Sequence, residues 1–443
     1  MAEATTYITR VFPRAHAHAL LGKSAAAFGI KIAAAILSFA MFALFARALP
    51  QDQFGMFGFA FSAATILALG ASMGQRNLVL RFASIYIGQG DRSRAFAVIR
   101  HGYMRVITGA WLAATTLALA ALLLPEQRAI LTAIAVLTVA LALGEFQPNP
   151  QRAAGRVALA LVPRDIVFRV LMITIAGLSV MGVLPMFSAV EIAGLMAGAL
   201  LLLTAGQACV EPFTHPIRVM TEPGTTDDAS QWKRAGWGLW GNSVLNAAGR
   251  NLSIVFVGFF LTAEQTGALF AALRTAMVLE LALMAVNVAA APSLAQTLAT
   301  GDANKTQDLC RFVTVLVTDP TEIAFVLFWG AGPYILALVG PEYAQAHWVL
   351  VVISAGYLIR ALAGPTGQIM EMGGYERAYF RIMLVTTSAA LLALFPLTLL
   401  LGMMGAALAI ALNLAALHIW CLVFIKRQTG LSPGLINVKW VAK

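Results

Sequence analysis

The sequence contains little charge. Only 11% of its 443 residues are Asp, Glu, Lys or Arg, whereas 60% are hydrophobic. A soluble domain carries about 25% charged residues, so this composition excludes an ordinary water-soluble protein and predicts a membrane protein. The net charge of +10 does not indicate nucleic-acid binding, because its distribution along the chain follows membrane topology, as shown below.

Cysteine and histidine are also scarce. The three cysteines are odd in number and far apart, so they predict neither a disulfide framework nor a metal site. The six histidines show no metal-ligand spacing, and no glycine-rich loop with a lysine is available to cradle phosphates. We therefore expect no metal and no cofactor, and an ATP-driven pump within this chain alone is disfavoured.

Long hydrophobic runs, by contrast, fill the chain. A membrane span needs about 20 apolar residues, and the first such run is too long for a signal-peptide core, which predicts a retained helix. Twelve spans can be placed, near residues 26–49, 54–75, 104–124, 129–146, 165–185, 190–209, 237–261, 267–292, 312–339, 346–370, 382–401 and 403–425.

Lys and Arg residues are unequally divided between the two sides that these spans define. The side that holds both termini carries 23 of them, and the other side carries two, Arg47 and Arg128. The positive-inside rule therefore predicts that both termini are cytoplasmic. The outer loops are too short to form a catalytic domain.

A short motif occurs twice. The sequence LPQDQFG at residues 49–55 and LTAEQTG at residues 261–267 share the pattern Leu-x-x-acid-Gln-x-Gly at an offset of 212 residues. This spacing predicts two halves of six spans each, related as parallel repeats. The predicted organisation is an N-terminal bundle at residues 1–210, a cytoplasmic linker at 211–236 and a C-terminal bundle at 237–443.

Five basic residues lie inside the predicted spans, where a charge costs at least ~2.5–3.5 kcal/mol and is normally functional. They are Lys31, Arg169, Arg250, Arg274 and Arg360. This placement points to an anionic ligand.

Span seven carries a polar stripe. Asn242, Asn246 and Arg250 follow one another at intervals of four residues and so share one helix face. Such a face lines either a water-filled cavity or a hydrogen-bonded seam between helices.

Spans eight and ten contain further charged and polar groups. In span ten, Arg360, Gln368 and Glu371 are predicted to share a face with two glycines. In span eight, Arg274 and Glu280 are six residues apart and are predicted to lie on different faces rather than to neutralise each other.

Two further groups have a structural as well as a functional interpretation. Asp165 and Arg169, at i and i+4, are expected to form a pair, while Lys31 either contributes to a site or extends its ammonium group to the membrane interface.

Asp319, Pro320 and Glu322 match an N-cap, a first-turn proline and a capping-box acid, which predicts that a helix restarts there. Glu280, Asp319, Glu322 and Glu371 are the candidates for coupling transport to an ion.

Three segments resemble a known family. They are FARALPQDQFG at residues 45–55 with GASMG at 70–74, LALVGPEYAQA at 336–346, and APSLA at 291–295 followed by Gly301 and Asp302. They resemble bacterial polysaccharide flippases of the O-antigen and exopolysaccharide type, whose superfamily includes multidrug and toxin extrusion proteins. The fourteen-span lipid II flippases of the same superfamily fit a twelve-span chain less well.

The resemblance implies an all-α polytopic membrane protein with twelve transmembrane helices in two pseudo-symmetric six-helix bundles, a V-shaped alternating-access transporter. It also implies a function: moving undecaprenyl-diphosphate-linked oligosaccharide from the cytoplasmic to the periplasmic leaflet of a bacterial inner membrane. The partners would be this glycan lipid, the bilayer and other polysaccharide-assembly membrane proteins.

On this interpretation the basic residues would bind the diphosphate (Arg250, Arg274, Arg360 and Lys31) and the amides would bind sugar hydroxyls (Asn242, Asn246 and Gln368). A multidrug or organic-cation antiporter of the same fold is the main alternative. It would require a cavity dominated by carboxylates. A membrane-embedded glycan polymerase or ligase is disfavoured by the short outer loops, and a scaffold of a polysaccharide-synthesis complex remains a third alternative.

Overall fold

A computed structural model describes residues 14–225, 228–281 and 303–436, with isolated positions between 282 and 302. Side chains are described from residue 29 onward, except those at 238, 242, 246, 250 and 372. Within these ranges the chain is helical and contains no strand.

Helices account for almost all of the described residues between 14 and 276. They are α1 (Arg14–Ala48), α2 (Gln51–Ala71), α3 (Gln75–Gly88), α4 (Arg92–Leu123), α5 (Arg128–Phe146), α6 (Pro148–Ala153), α7 (Val157–Val162), α8 (Phe168–Val180), α9 (Ala189–Val210), α10 (Pro216–Thr221), α11 (Ala229–Phe260) and α12 (Ala263–Ala276). A π-helical turn, Pro163–Val167, joins α7 to α8.

The last part of the chain continues with longer helices. They are α13 (Ala303–Val339), α14 (His347–Ala363), α15 (Thr366–Met372), α16 (Glu376–Leu401) and α17 (Met403–Thr429).

Membrane-spanning length and hydropathy are found in nine helical runs of the described residues, and in a tenth if the two bent parts of α11 count as one span. The predicted span at 165–185 corresponds to the π-helical turn and α8. The predicted span at 267–292 begins in α12 and continues into residues that are mostly outside the described ranges. The prediction of an all-helical, multi-pass membrane protein is confirmed.

The chain divides into two compact units. Residues 29–267 form one, here called the N-terminal unit. The other, here called the C-terminal unit, contains residues 268–443 together with residues 1–28. Helix α11 packs along α2 inside the N-terminal unit. The predicted division into bundles around a linker at 211–236 stays a prediction.

The N-terminal unit is packed through small residues and aromatic rings. Helix α2 buries Ala60, Ala64 and Ala68 at intervals of four residues, which lets neighbouring helices approach closely. At one end of this helix, the rings of Phe45 and Phe57 meet edge to face with centroids 5.4 Å apart.

The two copies of the repeated motif lie against each other within this unit. A Cβ built on Gly55 would lie 1.7 Å from the carbonyl oxygen of Ala263, and one built on Gly267 would lie 3.0 Å from the carbonyl oxygen of Gln51. Each motif begins a helix, α2 or α12, and its glycine admits the backbone of the other copy.

The capping motif at Asp319 does not start a helix, so that prediction is wrong. Helix α13 runs without a break from Ala303 to Val339 with Pro320 inside it. Its buried positions Val313, Val317 and Thr321 continue one face through the proline. The hydroxyl of Thr321 donates to the carbonyl of Val317 at 2.7 Å. A continuous buried face therefore outweighed a local capping signal.

Candidate functional site

Seven charged side chains come together in the N-terminal unit and are here called the charged cluster. They come from six different elements: α1, α3, α5, α6, the π-helical turn and α8. The members are Lys31, Arg76, Glu145, Arg152, Arg164, Asp165 and Arg169.

Glu145 accepts hydrogen bonds from two arginines. It stands at the end of α5, an otherwise apolar helix, where the Nη1 atom of Arg76 lies 3.0 Å from its Oε2 and the Nη2 atom of Arg164 contacts its Oε1. The side chain of Asn149 donates to the carbonyls of Glu145 at 2.8 Å and Phe146 at 3.0 Å. These bonds satisfy carbonyls that the end of the helix would leave without partners.

Asp165 is the second carboxylate of the charged cluster and also joins two cations. Its Oδ2 lies 2.5 Å from Nζ of Lys31, and its Oδ1 lies 3.1 Å from Nη1 of Arg169. Asp165 is buried, with 3% of its surface exposed. The π-helical turn that carries Arg164 and Asp165 widens the backbone spiral here, a feature often found at functional sites.

A pair of glutamines holds the α6–α7 segment in place. Nε2 of Gln207, near the end of α9, donates to Oε1 of Gln151 at 2.6 Å and to the carbonyl of Leu159 at 2.7 Å. Nε2 of Gln151 donates back to the carbonyl of Gln207 at 2.8 Å. This arrangement fixes the backbone on both sides of Arg152 and Arg156.

All members of the charged cluster except Arg169 line an open cavity of about 190 Å³. Four basic and two acidic side chains line it: Lys31, Arg76, Arg152, Arg164, Glu145 and Asp165. Each carboxylate is shared by two cations, whereas Arg152 makes no ion pair with any described residue. The lining therefore carries an excess of positive charge.

The sequence predicted part of this cluster. The Asp165–Arg169 pair is confirmed. Lys31 forms an ion pair with Asp165, and its side chain is also 45% exposed. Sequence reasoning missed Arg76, Glu145, Arg152 and Arg164, since it treated the arginines as loop charges that set topology. The available signal was Glu145, the single acid at the end of an apolar run.

In the C-terminal unit, the structure brings together a residue predicted to bind the diphosphate and an acidic residue predicted to couple transport to an ion. Nη1 of Arg360, on α14, lies 2.8 Å from Oε1 of Glu280. Arg274, on α12, places its guanidinium over the ring of Phe270, 4.7 Å from the centroid, with Nη1 3.7 Å from the sulfur of Met277. The guanidinium groups of Arg360 and Arg274 thus both contact specific side chains of the C-terminal unit.

The predicted common face of span ten is wrong. Helix α14 ends at Ala363, and Gly364 adopts a φ of +79° before α15 begins at Thr366. Arg360 therefore lies on a different helix from Gln368 and Glu371. The Gly364–Pro365 step breaks the helix because this left-handed φ favours glycine and proline lacks the N–H that would continue the spiral.

The break places a polar pair in the C-terminal unit that the sequence did not suggest. Oγ1 of Thr366, the first residue of α15, lies 3.0 Å from Nδ1 of the buried His418 on α17. On the same short helix, desolvation raises the pKa of Glu371, and the carboxylate of Glu376 raises it further.

The remaining predicted site residues are only partly placed. Asp319 and Glu322 are exposed on α13. Asn242, Asn246 and Arg250 belong to α11, but their side chains lie outside the described residues, so their predicted roles stay predictions. Within the described ranges, no group of three His, Cys, Asp or Glu residues could hold a metal ion.

Known structures resemble this fold over most of its length. An inward-facing multidrug resistance MATE family transporter of the MOP superfamily has a TM-score of 0.69 and 12% identity, covering 90% of this chain and 94% of that chain. A MOP superfamily transporter from Pyrococcus furiosus, described as having a binding pocket of reverse polarity that suggests a different function, has a TM-score of 0.62 and 12% identity over 92% of this chain and 95% of that one.

At such identities these likenesses establish the fold, which is that of transporters. No curated protein sequence matches the chain. A family model does match, over residues 20–298, and its description is polysaccharide biosynthesis protein. The match covers more than half of the 443 residues, and the chain therefore belongs to the polysaccharide biosynthesis protein family.

Proposed function

We propose that the protein is a flippase that moves undecaprenyl-diphosphate-linked oligosaccharide from the cytoplasmic to the periplasmic leaflet of a bacterial inner membrane. Both termini would be cytoplasmic, as the distribution of Lys and Arg indicates. The match to the polysaccharide biosynthesis protein family over residues 20–298 carries this proposal, because it joins a transporter fold to glycan assembly. Other membrane proteins of polysaccharide assembly would be its partners.

Such a cargo imposes a clear physical demand. Its diphosphate must leave water while the polyprenyl tail stays in lipid, so the protein must supply counter-charge at membrane depth. Arginine suits this role because its planar guanidinium binds phosphate oxygens in a bidentate way. We assign this role to Arg250, Arg274, Arg360 and Lys31, and we assign the sugar contacts to Asn242, Asn246 and Gln368.

The Arg360–Glu280 pair supports a coupling step. At 2.8 Å the carboxylate occupies one donor of the guanidinium, so a diphosphate that binds Arg360 competes with Glu280. Protonation of Glu280 would release the arginine for the cargo. This exchange would link cargo binding to ion binding, with Asp319, Glu322 and Glu371 as the other candidate acids.

The alternative is a multidrug or organic-cation antiporter, and the fold fits it equally well, since the similar structures include multidrug transporters. A cationic cargo needs carboxylates that cations have not already neutralised. In the N-terminal unit, however, four basic residues face two acidic ones around the cavity. Together with the family match, this excess of positive charge favours the anionic cargo.

A leaflet-resolved assay of lipid-linked glycan in proteoliposomes tests the proposal. We expect the protein to expose the glycan on the opposite leaflet and the Arg274→Gln variant to do so at least tenfold more slowly. Arg128→Gln is the matched control, because Arg128 lies at an exposed helix start outside the site. If glycan exposure equals that of protein-free liposomes while an organic cation is transported, the antiporter is the correct function.

A further inference from the structure

We propose that the charged cluster of the N-terminal unit is a binding site for a phosphate-bearing anion, with Arg152, Arg76 and Arg164 as its principal donors. That the anion is the diphosphate of a lipid-linked cargo rests on the proposed function, in which this cluster would bind the diphosphate at a different step from Arg250, Arg274 and Arg360. The site itself rests on the geometry of this unit alone.

The charges of the cluster do not balance. Asp165 is shared by Lys31 and Arg169, and Glu145 is shared by Arg76 and Arg164. Each of these two groups therefore has one positive charge in excess, and Arg152 adds a third. Arg164 and Arg169 are largely buried, with side chains 25% and 18% exposed, whereas Arg152 is exposed. Because like charges this close together repel one another, a bound anion would stabilise this arrangement.

A neighbouring arginine makes the imbalance more informative. Arg156 lies four residues after Arg152 in the same connecting segment and has an acidic partner, Glu211, at 3.4 Å. Arg152 instead faces the cavity without a carboxylate of its own among the described residues. Because the Arg152 side chain is exposed, a ligand in the cavity can reach it, whereas Arg156 already has a carboxylate partner.

The size of the cavity limits the ligand. Its volume of about 190 Å³ is smaller than the ~300–1,000 Å³ of pockets for drug-sized ligands. A phosphate or diphosphate group suits such a space better than an oligosaccharide does. The glycan of a cargo would therefore remain outside this cavity.

The donors are positioned for an oxyanion. The guanidinium groups of Arg76 and Arg164 reach the two oxygens of one carboxylate, that of Glu145, so both already point at a planar anion. The amide side chains of Asn77 and Asn149 also line the cavity. The Gln151–Gln207 bonds hold the segment that carries Arg152, which reduces the entropy lost on binding.

Binding of inorganic diphosphate to the purified full-length protein in phosphatidylcholine nanodiscs tests the site. We expect calorimetry to show saturable binding of diphosphate. This binding should persist when chloride is added at the same ionic strength as the diphosphate. Arg152→Gln should weaken the affinity about tenfold, whereas the matched control Arg156→Gln should leave it unchanged. Glu145→Gln should tighten it, because it removes the competing carboxylate and adds one net positive charge.

Three results would overturn the inference: no saturable binding, equal affinity in the Arg152→Gln and Arg156→Gln proteins, or full displacement of diphosphate by chloride. Because Glu145→Gln also removes hydrogen bonds, each variant is first checked for monodisperse purification and a normal unfolding temperature. The comparison of the two surface-segment arginines does not depend on the Glu145 variant.

The source of the phosphate is decided by competition. If the site binds the cargo, undecaprenyl diphosphate incorporated in the nanodisc should displace inorganic diphosphate. If the site binds a lipid headgroup, phosphatidylglycerol should displace it. Either result supports a phosphate site. Diphosphate binding that depends on Arg152 in a protein that moves no glycan would uphold this inference and remove the proposed function. Glycan transport by a protein in which Arg152→Gln and Arg156→Gln bind diphosphate with equal affinity would do the reverse.

Discussion

Lys31 on α1 and Asp165 in the π-helical turn form an ion pair, with Nζ 2.5 Å from Oδ2, across 134 positions of the sequence. The pair is asymmetric. The Asp165 side chain is 5% exposed and that of Lys31 is 45% exposed. Among the described residues, the aspartate has a second ion-pair partner, Arg169, whereas the lysine has none. The two partners should therefore contribute unequally to stability.

We expect Asp165→Asn to destabilise the protein by about 3–5 kcal/mol, because it leaves two cations without their buried counter-charge. Lys31→Met should cost no more than about 1 kcal/mol, since Asp165 keeps Arg169 and the ammonium group is largely hydrated. Thermal unfolding of the purified variants in detergent measures the difference. Equal losses in the two variants would contradict the asymmetry.

A methyl group at Gly55 should disrupt the contact between the two repeated motifs. It would lie 1.7 Å from the carbonyl oxygen of Ala263, so Gly55→Ala must displace backbone and should cost about 1–3 kcal/mol. The matched control is Gly70→Ala in the same helix, where nothing lies within 4 Å of the added atom. Gly70→Ala should be neutral or slightly stabilising, as expected for alanine in a helix.

The Arg360–Glu280 pair should show coupling between its partners. Arg360→Met leaves the carboxylate of Glu280 in a poorly hydrated site, where the side chains are 21% and 18% exposed. The Arg360→Met/Glu280→Met double variant should therefore lose less stability than the sum of the losses in the two single variants. A double-mutant cycle on unfolding temperature measures the coupling, and additive effects would show that the pair is not coupled. Glycan transport should be lost in both variants that lack Arg360 if this residue binds the diphosphate.

Glu371 should affect the pH dependence of transport. Desolvation and the nearby Glu376 raise its pKa, so its carboxyl group keeps a proton to a higher pH than an ordinary glutamate and releases it as the pH rises through the raised value. We expect Glu371→Gln, which is neutral at every pH, to remove the response of transport to a pH gradient. Glu126→Gln, in the short turn Pro125–Gln127 of the N-terminal unit and so away from this segment, should keep that response. An unchanged response in Glu371→Gln would exclude Glu371 as the coupling group.

The helices and the membrane were predictable from the sequence because both depend on local properties. Runs of about 20 apolar residues must be helical in lipid, where each backbone group needs an internal partner. The Asp165–Arg169 pair was predictable for the same reason, since residues four apart on one helix are always neighbours.

Local patterns failed where a longer-range factor decided the backbone. The capping residues at Asp319 predicted a helix start, but a buried face continues through Pro320. Periodicity alone predicted one face from Arg360 to Glu371, but Gly364 breaks the helix. Capping and periodicity describe what a segment tolerates, whereas packing determines which alternative forms.

The sequence by itself determined that this chain is a helical, multi-pass membrane protein with basic residues at membrane depth, because hydropathy and helical spacing are properties of neighbouring residues. Only the tertiary structure decided which charges meet. Lys31 pairs with Asp165 across 134 positions and Arg360 with Glu280 across 80, and Arg152 is left facing a cavity with excess positive charge. Such ion pairs depend on how helices that are distant in sequence pack together, and the spacing of residues along the sequence does not specify this packing.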